Sequence, residues 1–194
     1  NLSDEVSVVL WQEAENGGIY LSSQILSQKG TKNEWITKHR FAGPFPYSGD
    51  VPQISSVAVN NKGIVTFAVI SASDTISIFT SDSSLSYFRE NKLSHTGGAL
   101  VAPRIYRTSD DRFMLFASQG EDESFSLMVS TSFDGISWTP FTVFAPSQDI
   151  RNPFIPILAQ VPWGDIVIFQ GSYSSGIRLS YQLYSTLSQD GGTT

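Results

Sequence analysis

Cysteine is absent from the whole 194-residue chain. That excludes a disulfide scaffold, a thiolate metal site and a cysteine nucleophile. Histidine is nearly absent too: His39 and His95 are the two present, 56 residues apart, with no ligand-spaced partner. No HExxH, P-loop or GxSxG string occurs, so no metal or other cofactor is expected. Basic residues are few, 12 against 18 acidic ones, for a net charge of −6. Nucleic-acid binding through a basic surface is excluded on that balance, and the acidic exterior reads as a solvated one. No apolar run approaches the roughly 18 residues of a membrane-spanning helix, so no membrane span is expected. Asn1-Leu2-Ser3-Asp4-Glu5 has neither the basic stretch nor the apolar stretch of a secretory leader, and any leader is expected to lie outside these residues.

What is present points to β-structure. Hydrophobic residues make up 40% and charged residues only 15%, in a chain rich in Ser, Thr, Val, Ile and Phe. No long 3.6-residue apolar stripe appears, so helices should be scarce. The chain also repeats itself. Ser81-Asp82-Ser83-Ser84-Leu85-Ser86-Tyr87 aligns with Ser132-Phe133-Asp134-Gly135-Ile136-Ser137-Trp138, 51 residues later. Trp35 lies 52 residues before Tyr87, in a looser copy starting at Ser27, and a further copy runs from Ser188 to Thr194.

A second marker keeps the same beat. Pro52, Pro103 and Pro153 each head an apolar run, as expected of a proline at the first residue of a strand, where no ladder donor is needed. A turn follows each run: Asn60-Asn61-Lys62-Gly63, Thr108-Ser109-Asp110-Asp111 and Pro162-Trp163-Gly164-Asp165. Second strands are expected over 64–70, 113–117 and 166–169, third strands over 75–80, 124–130 and 177–184, then the Ser…aromatic segment and a fourth strand. Four short strands per 50-residue unit is the pattern of a propeller blade. The fold expected is therefore an all-β propeller of four-stranded antiparallel blades, one domain with blades at about 1–45, 46–96, 97–147 and 148–194. The first and last blades read as incomplete. The first lacks its inner strand, with Val6 to Trp11 as second strand and Ile19 to Gln24 as third, and the last stops inside its repeat.

The segment Ser132-Phe133-Asp134-Gly135-Ile136-Ser137-Trp138 resembles the Asp-box of bacterial neuraminidase repeats, and Ser188-Gln189-Asp190-Gly191-Gly192-Thr193-Thr194 matches its longer form up to the final aromatic. In the copies at Ser81 and Ser27, Ser83 and Lys29 stand where the Asp belongs. The resemblance implies a sialidase-like propeller, part of a six-bladed ring, secreted or displayed in an extracellular, periplasmic or cell-surface setting. Within the box, Ser and Asp side chains should hold a turn through backbone amides, Gly should supply a positive φ, and the aromatic should fold inward between sheets. Ser132, Asp134, Gly135, Trp138, Ser188, Asp190 and Gly192 are thus expected to be structural rather than catalytic.

The resemblance places ligands on the face opposite the boxes, at second-to-third strand loops and blade-to-blade connections. There the polar candidates are Asp50 as a catalytic acid and Arg104, Arg151, Asn152, Gln53, Tyr47 and His95 as substrate-binding residues. Arginine pairs bidentately with a substrate carboxylate, which is why sialidases use it. Only Arg151-Asn152-Pro153 keeps the Arg-x-Pro order; Arg104 follows its proline instead, and the Tyr/Glu pair of the family would come later than Thr194. Two functions follow from these residues. One is a glycan-acting exo-glycosidase with part of its site outside this chain. The other is a non-catalytic propeller module binding a glycan or a protein partner through the same face.

Overall fold

The computed structural model describes residues 6–15, 18–29, 32–35, 39–46, 54–82, 87–121, 124–144, 151–161, 164–175 and 178–188. All regular structure among them is β, in antiparallel sheets. The chain divides into two compact units, Asn1–Gly49 and Asp50–Thr194.

The first unit holds one sheet. Strand β1 (Val6–Glu15) pairs along its whole length with β2 (Gly18–Lys29). The other edge of β2 is shared by β3 (Lys32–Trp35) and β4 (His39–Pro46). Together β3 and β4 act as one interrupted outer strand, so the described strands take the second, third and fourth places of a blade.

The second unit contains three sheets. The first runs β5 (Ala58–Val59), β6 (Val65–Ala72), β7 (Thr75–Ser81), β8 (Arg89–Ser94). The next runs β9 (Leu100–Arg107), β10 (Phe113–Glu121), β11 (Ser124–Ser132), β12 (Thr142–Val143). The last has β13 (Arg151–Val161), β14 (Gly164–Ser175) and β15 (Arg178–Ser188). Each sheet is a meander of neighbouring strands, which is blade connectivity. The all-β, antiparallel blade architecture is the one expected from the repeat.

The middle sheet shows why blades must stack. In β10 every residue from Phe113 to Ala117 is fully buried. Alternation sends Phe113, Leu115 and Ala117 to one face, where they join Ala68, Ile70, Ile76 and Ile78 of the preceding sheet. Met114 and Phe116 go to the other face and join Leu127 and Val167, with Leu158 of β13 packed alongside. A strand apolar on both faces is stable only when sandwiched.

The prolines do not sit where the sequence places them. Pro103 is the fourth residue of β9 and Pro153 the third of β13; Pro52 lies outside the described residues. The register slips by one between Phe116 and Ser118 opposite Ala102-Pro103, and slips again around Phe154 in β13. Proline fits inside an inner strand here because the bulge removes the ladder bond its nitrogen cannot make. Ala102, fully buried, takes φ 51° at that bulge, away from the extended shape usual before proline. In the preceding sheet a serine does similar work: Ser55 N–H donates to Ala68 O (2.8 Å) and its Oγ accepts from Ala68 N–H (2.8 Å).

Hydrogen bonds between blades follow the repeat length. Asn61 N–H donates to Asp111 Oδ1 (2.9 Å, 50 residues on), and Tyr106 OH donates to Pro156 O (2.7 Å, 50 residues on). Ser109 N–H donates to both carboxylate oxygens of Asp165 (3.0 Å each), and Ser109 OH to Oδ2 (2.9 Å). In the turns after β9 and β13, a carboxylate therefore caps the turn of the blade before it.

Candidate functional site

Antiparallel registers sort the loops of the second unit into two faces. One carries the turns after β5, β9 and β13 and the Ser132–Trp138 segment. The other, called the mouth here, carries the β6–β7 turn and the blade-to-blade connections.

On the first face, Asp134 is consumed by its own turn. Its Oδ1 accepts from Ser132 OH (3.0 Å), Ile136 N–H (2.8 Å) and Ser137 N–H (2.7 Å), and its Oδ2 from Ser137 OH (3.1 Å). Desolvation pulls this carboxyl upward, but the Ser137 and Ile136 amides and the Ser132 and Ser137 hydroxyls outweigh it and hold the pKa down at about 2. Gly135 sits at φ 71°, and a Cβ there would lie 3.0 Å from Thr80 Cγ2. Its carbonyl accepts from Trp138 Nε1–H (2.9 Å) and from Thr80 OH of the preceding blade (2.6 Å). Trp138 is half-buried against the core. A fully engaged anion of this kind fixes its own turn rather than serving as a free acid or base, and the Gly135 carbonyl of that turn makes the tie to the preceding blade. Of the other box residues, the side chain of Ser188 in β15, and Asp190 and Gly192 altogether, lie outside the described residues.

Tyr87, the aromatic of the preceding copy, departs from the inward expectation: it is 75% exposed. Phe88, one residue later, turns in instead and meets Phe67 edge-on at 5.7 Å. Ser83 supplies no carboxylate where Asp134 anchors its turn, so the aromatic plug is displaced by one residue.

At the mouth, the connection 95–99 is tied at both ends to the β6–β7 turn. His95 N–H donates to Asp74 O (2.9 Å) and Leu100 N–H to Ser73 O (2.6 Å). The His95 ring packs edge-on to the buried Phe141 at 6.1 Å. Gln119 of β10, paired with Leu100, lays its side-chain amide over Gly97. A Cβ on Gly97 would fall 2.7 Å from Gln119 Nε2 and 3.4 Å from His95 Nε2. Only glycine permits that approach. Gln119 Nε2 is buried with no hydrogen-bond partner, as is the Ser118 hydroxyl next to it in β10. An unsatisfied buried donor is costly and marks a place where a ligand or water completes the set. Asp74 is exposed, and its Oδ1 accepts from Thr75 OH (2.9 Å).

Of the remaining sequence candidates, Arg104 is the one whose side chain is described. Arg104 is placed mid-strand in β9 rather than at its mouth end; its Nη1 donates to Pro103 O (2.9 Å). It neighbours Tyr106, whose pKa burial raises while the Arg104 charge opposes the rise. Arg151 and Asn152 open β13, with their side chains outside the described residues. Tyr47, Asp50 and Gln53 lie outside the described residues altogether. Among the described candidates, His95 is the one placed beside unsatisfied polar groups. Gln119 escaped sequence reading because it sits inside a strand; the Gly97-Gly98 pair, placed just before an inner strand, was the available signal.

Several solved structures are similar to this chain. A polysaccharide lyase described as an ulvan lyase superposes with a TM-score of 0.52 and 10% identity, over 87% of this chain and 46% of its own. An α-L-arabinofuranosidase from Clostridium thermocellum gives 0.49 and 13%, over 96% and 70%. An endo-1,4-β-xylanase from Bacteroides thetaiotaomicron gives 0.45 and 11%, over 93% and 74%. No protein-family profile and no curated protein sequence matches the chain. At 10% identity the likeness to the lyase is one of fold alone, and this chain spans under half of it.

Proposed function

We propose that this chain is part of a glycan-directed propeller that grips a sugar at the mouth lined by His95, Gly97-Gly98 and Gln119. The observation that carries this reading is the buried, partnerless amide of Gln119 facing a glycine-lined backbone beside an imidazole. Such a set offers directional donors without charge, which suits a sugar hydroxyl. The printed descriptions of the fold relatives, a lyase of ulvan, an arabinofuranosidase and a xylanase, support the same ligand class.

At finer grain, the Ser132–Trp138 box and Arg151-Asn152-Pro153 support a sialidase-like exo-glycosidase acting outside the cytoplasm. In it Asp50 would be the acid, Arg104 and Arg151 the carboxylate clamp, and Tyr47, Gln53, Asn152 and His95 the lining. A non-catalytic binding module is the second reading. It is favoured by the mouth side chains that are described: Asp74 is exposed and engaged by Thr75, and among the described residues no second carboxylate pairs with it as in a glycosidase.

The test joins binding to turnover. Calorimetric titration with xylo-, arabino- and sialyl-oligosaccharides should reveal one that binds. Gly97→Ala, which forces the Gln119 amide away, should weaken it at least tenfold. A panel of fluorogenic glycosides then separates the readings: release of fluorophore that Asp50→Ala abolishes supports the exo-glycosidase, and binding without release supports the module. A chain that binds none of these sugars overturns both.

A further inference from the structure

We infer that the groove between the first two sheets of the second unit, on the face of the Asp134 turn, is a second binding subsite for a neutral glycan, with Tyr87 as its stacking platform. It lies on the opposite face from the His95 mouth and stands independently of the function proposed for that mouth. The groove encloses about 320 Å³ and is lined by Ile64, Ser81, Tyr87, Arg89, Asp134 and Ile136 among others. That volume is at the low end for ligand sites, enough for one or two sugar units.

Three observations point the same way. First, Tyr87 is 75% exposed although its equivalent Trp138 is half-buried, and Phe88 already fills the inward position. At that exposure the Tyr87 ring offers its face to the C–H groups of a sugar. Second, Ser81 is only 5% exposed, yet its hydroxyl has no hydrogen-bond partner. A groove occupant, directly or through water, would satisfy it. Third, Arg89 contributes a fork of donors on the rim.

Charge selects the ligand class. Asp82 and Asp134 line the groove against one cation, Arg89. Asp134 is saturated by its own turn and presents charge rather than a free acceptor. Two carboxylates on the lining disfavour uronate, sialate and sulfate groups and leave neutral sugars as the fitting class.

Native affinity electrophoresis tests this with the whole chain in gels containing soluble arabinoxylan or, separately, polygalacturonate. Arabinoxylan should retard the chain and polygalacturonate should not. Tyr87→Ala should lower the retardation at least fivefold, Tyr87→Trp should keep it, and Gly97→Ala should leave the Tyr87-dependent part in place. Because Tyr87 is exposed, an unchanged melting curve certifies that Tyr87→Ala is folded; Tyr87→Ser provides the same readout if it is not. Retardation that survives Tyr87→Ala and Tyr87→Ser, retardation lost only in Gly97→Ala, stronger retardation by polygalacturonate, or no retardation by arabinoxylan each overturns the subsite. The second of these would leave the mouth reading standing.

Discussion

Asp165 offers the sharpest test of how the blades hold together. It is fully buried, and its carboxylate takes two bonds from the Ser109 amide and one from the Ser109 hydroxyl of the preceding blade. In Asp165→Ala the Ser109 N–H and O–H lose their acceptor. Hydrogen bonds to a charged group are worth about 1.5–3 kcal/mol each, and an orphaned donor costs about 1–3 kcal/mol. Against this stands the recovered desolvation of the carboxylate, which offsets part of the loss. A net destabilisation of about 3 kcal/mol follows. For a unit of this size it corresponds to a Tm lower by roughly 9 °C. Differential scanning calorimetry reads the shift directly. Asp165→Asn, which keeps an acceptor and the shape, should cost about half as much. Ser109→Ala removes only the hydroxyl arm and should cost about 1 kcal/mol, with the double variant falling short of additivity. A Tm drop under about 3 °C for Asp165→Ala would refute the capping role.

Other expectations follow from the same geometry. Asp134 has a folded pKa of about 2, below its ordinary 3.8, so it adds stability that is fully present above pH 4 and is lost as the pH falls toward 2. Allowing for solvent screening of this partly exposed group, the loss is about 1 kcal/mol, and Asp134→Asn should flatten acid denaturation curves over that window. Tyr106 is raised above 10.0, so its contribution holds below pH 10 and disappears as the pH rises through the folded value. Tyr106→Phe should remove that alkaline slope and cost about 1 kcal/mol through the lost bond to Pro156; thermal melts between pH 8 and 11 check both.

The blade count and strand rhythm were legible because the signals are local. Turn residues, strand-length apolar runs and a motif returning after 51 residues need no knowledge of distant contacts. The second and third strands of each blade therefore fell close to their expected places. The prolines were read too simply. A bulge depends on how the neighbouring strand registers, and neither Ala102 nor Pro103 announces that alone. The Tyr87 displacement has the same origin: its copy lacks the Asp that fixes the turn, and the packing of Phe88 against Phe67 decided which ring went inside.

The candidate site divides the same way. By itself the sequence determined an acidic, cysteine-free, all-β chain of propeller blades, and it nominated residues by type at the loops. Tertiary structure alone decided which polar groups are left unsatisfied. Gln119 is unremarkable in sequence and becomes a site residue only because Gly97, 22 positions earlier, brings the backbone beneath its amide. Asp165 looked like one more turn acid, and stacking made it the clamp of its neighbour. Local propensity is written in the order of residues. Burial and partnership depend on what a stacked blade brings from 50 residues away, and for that the chain must fold.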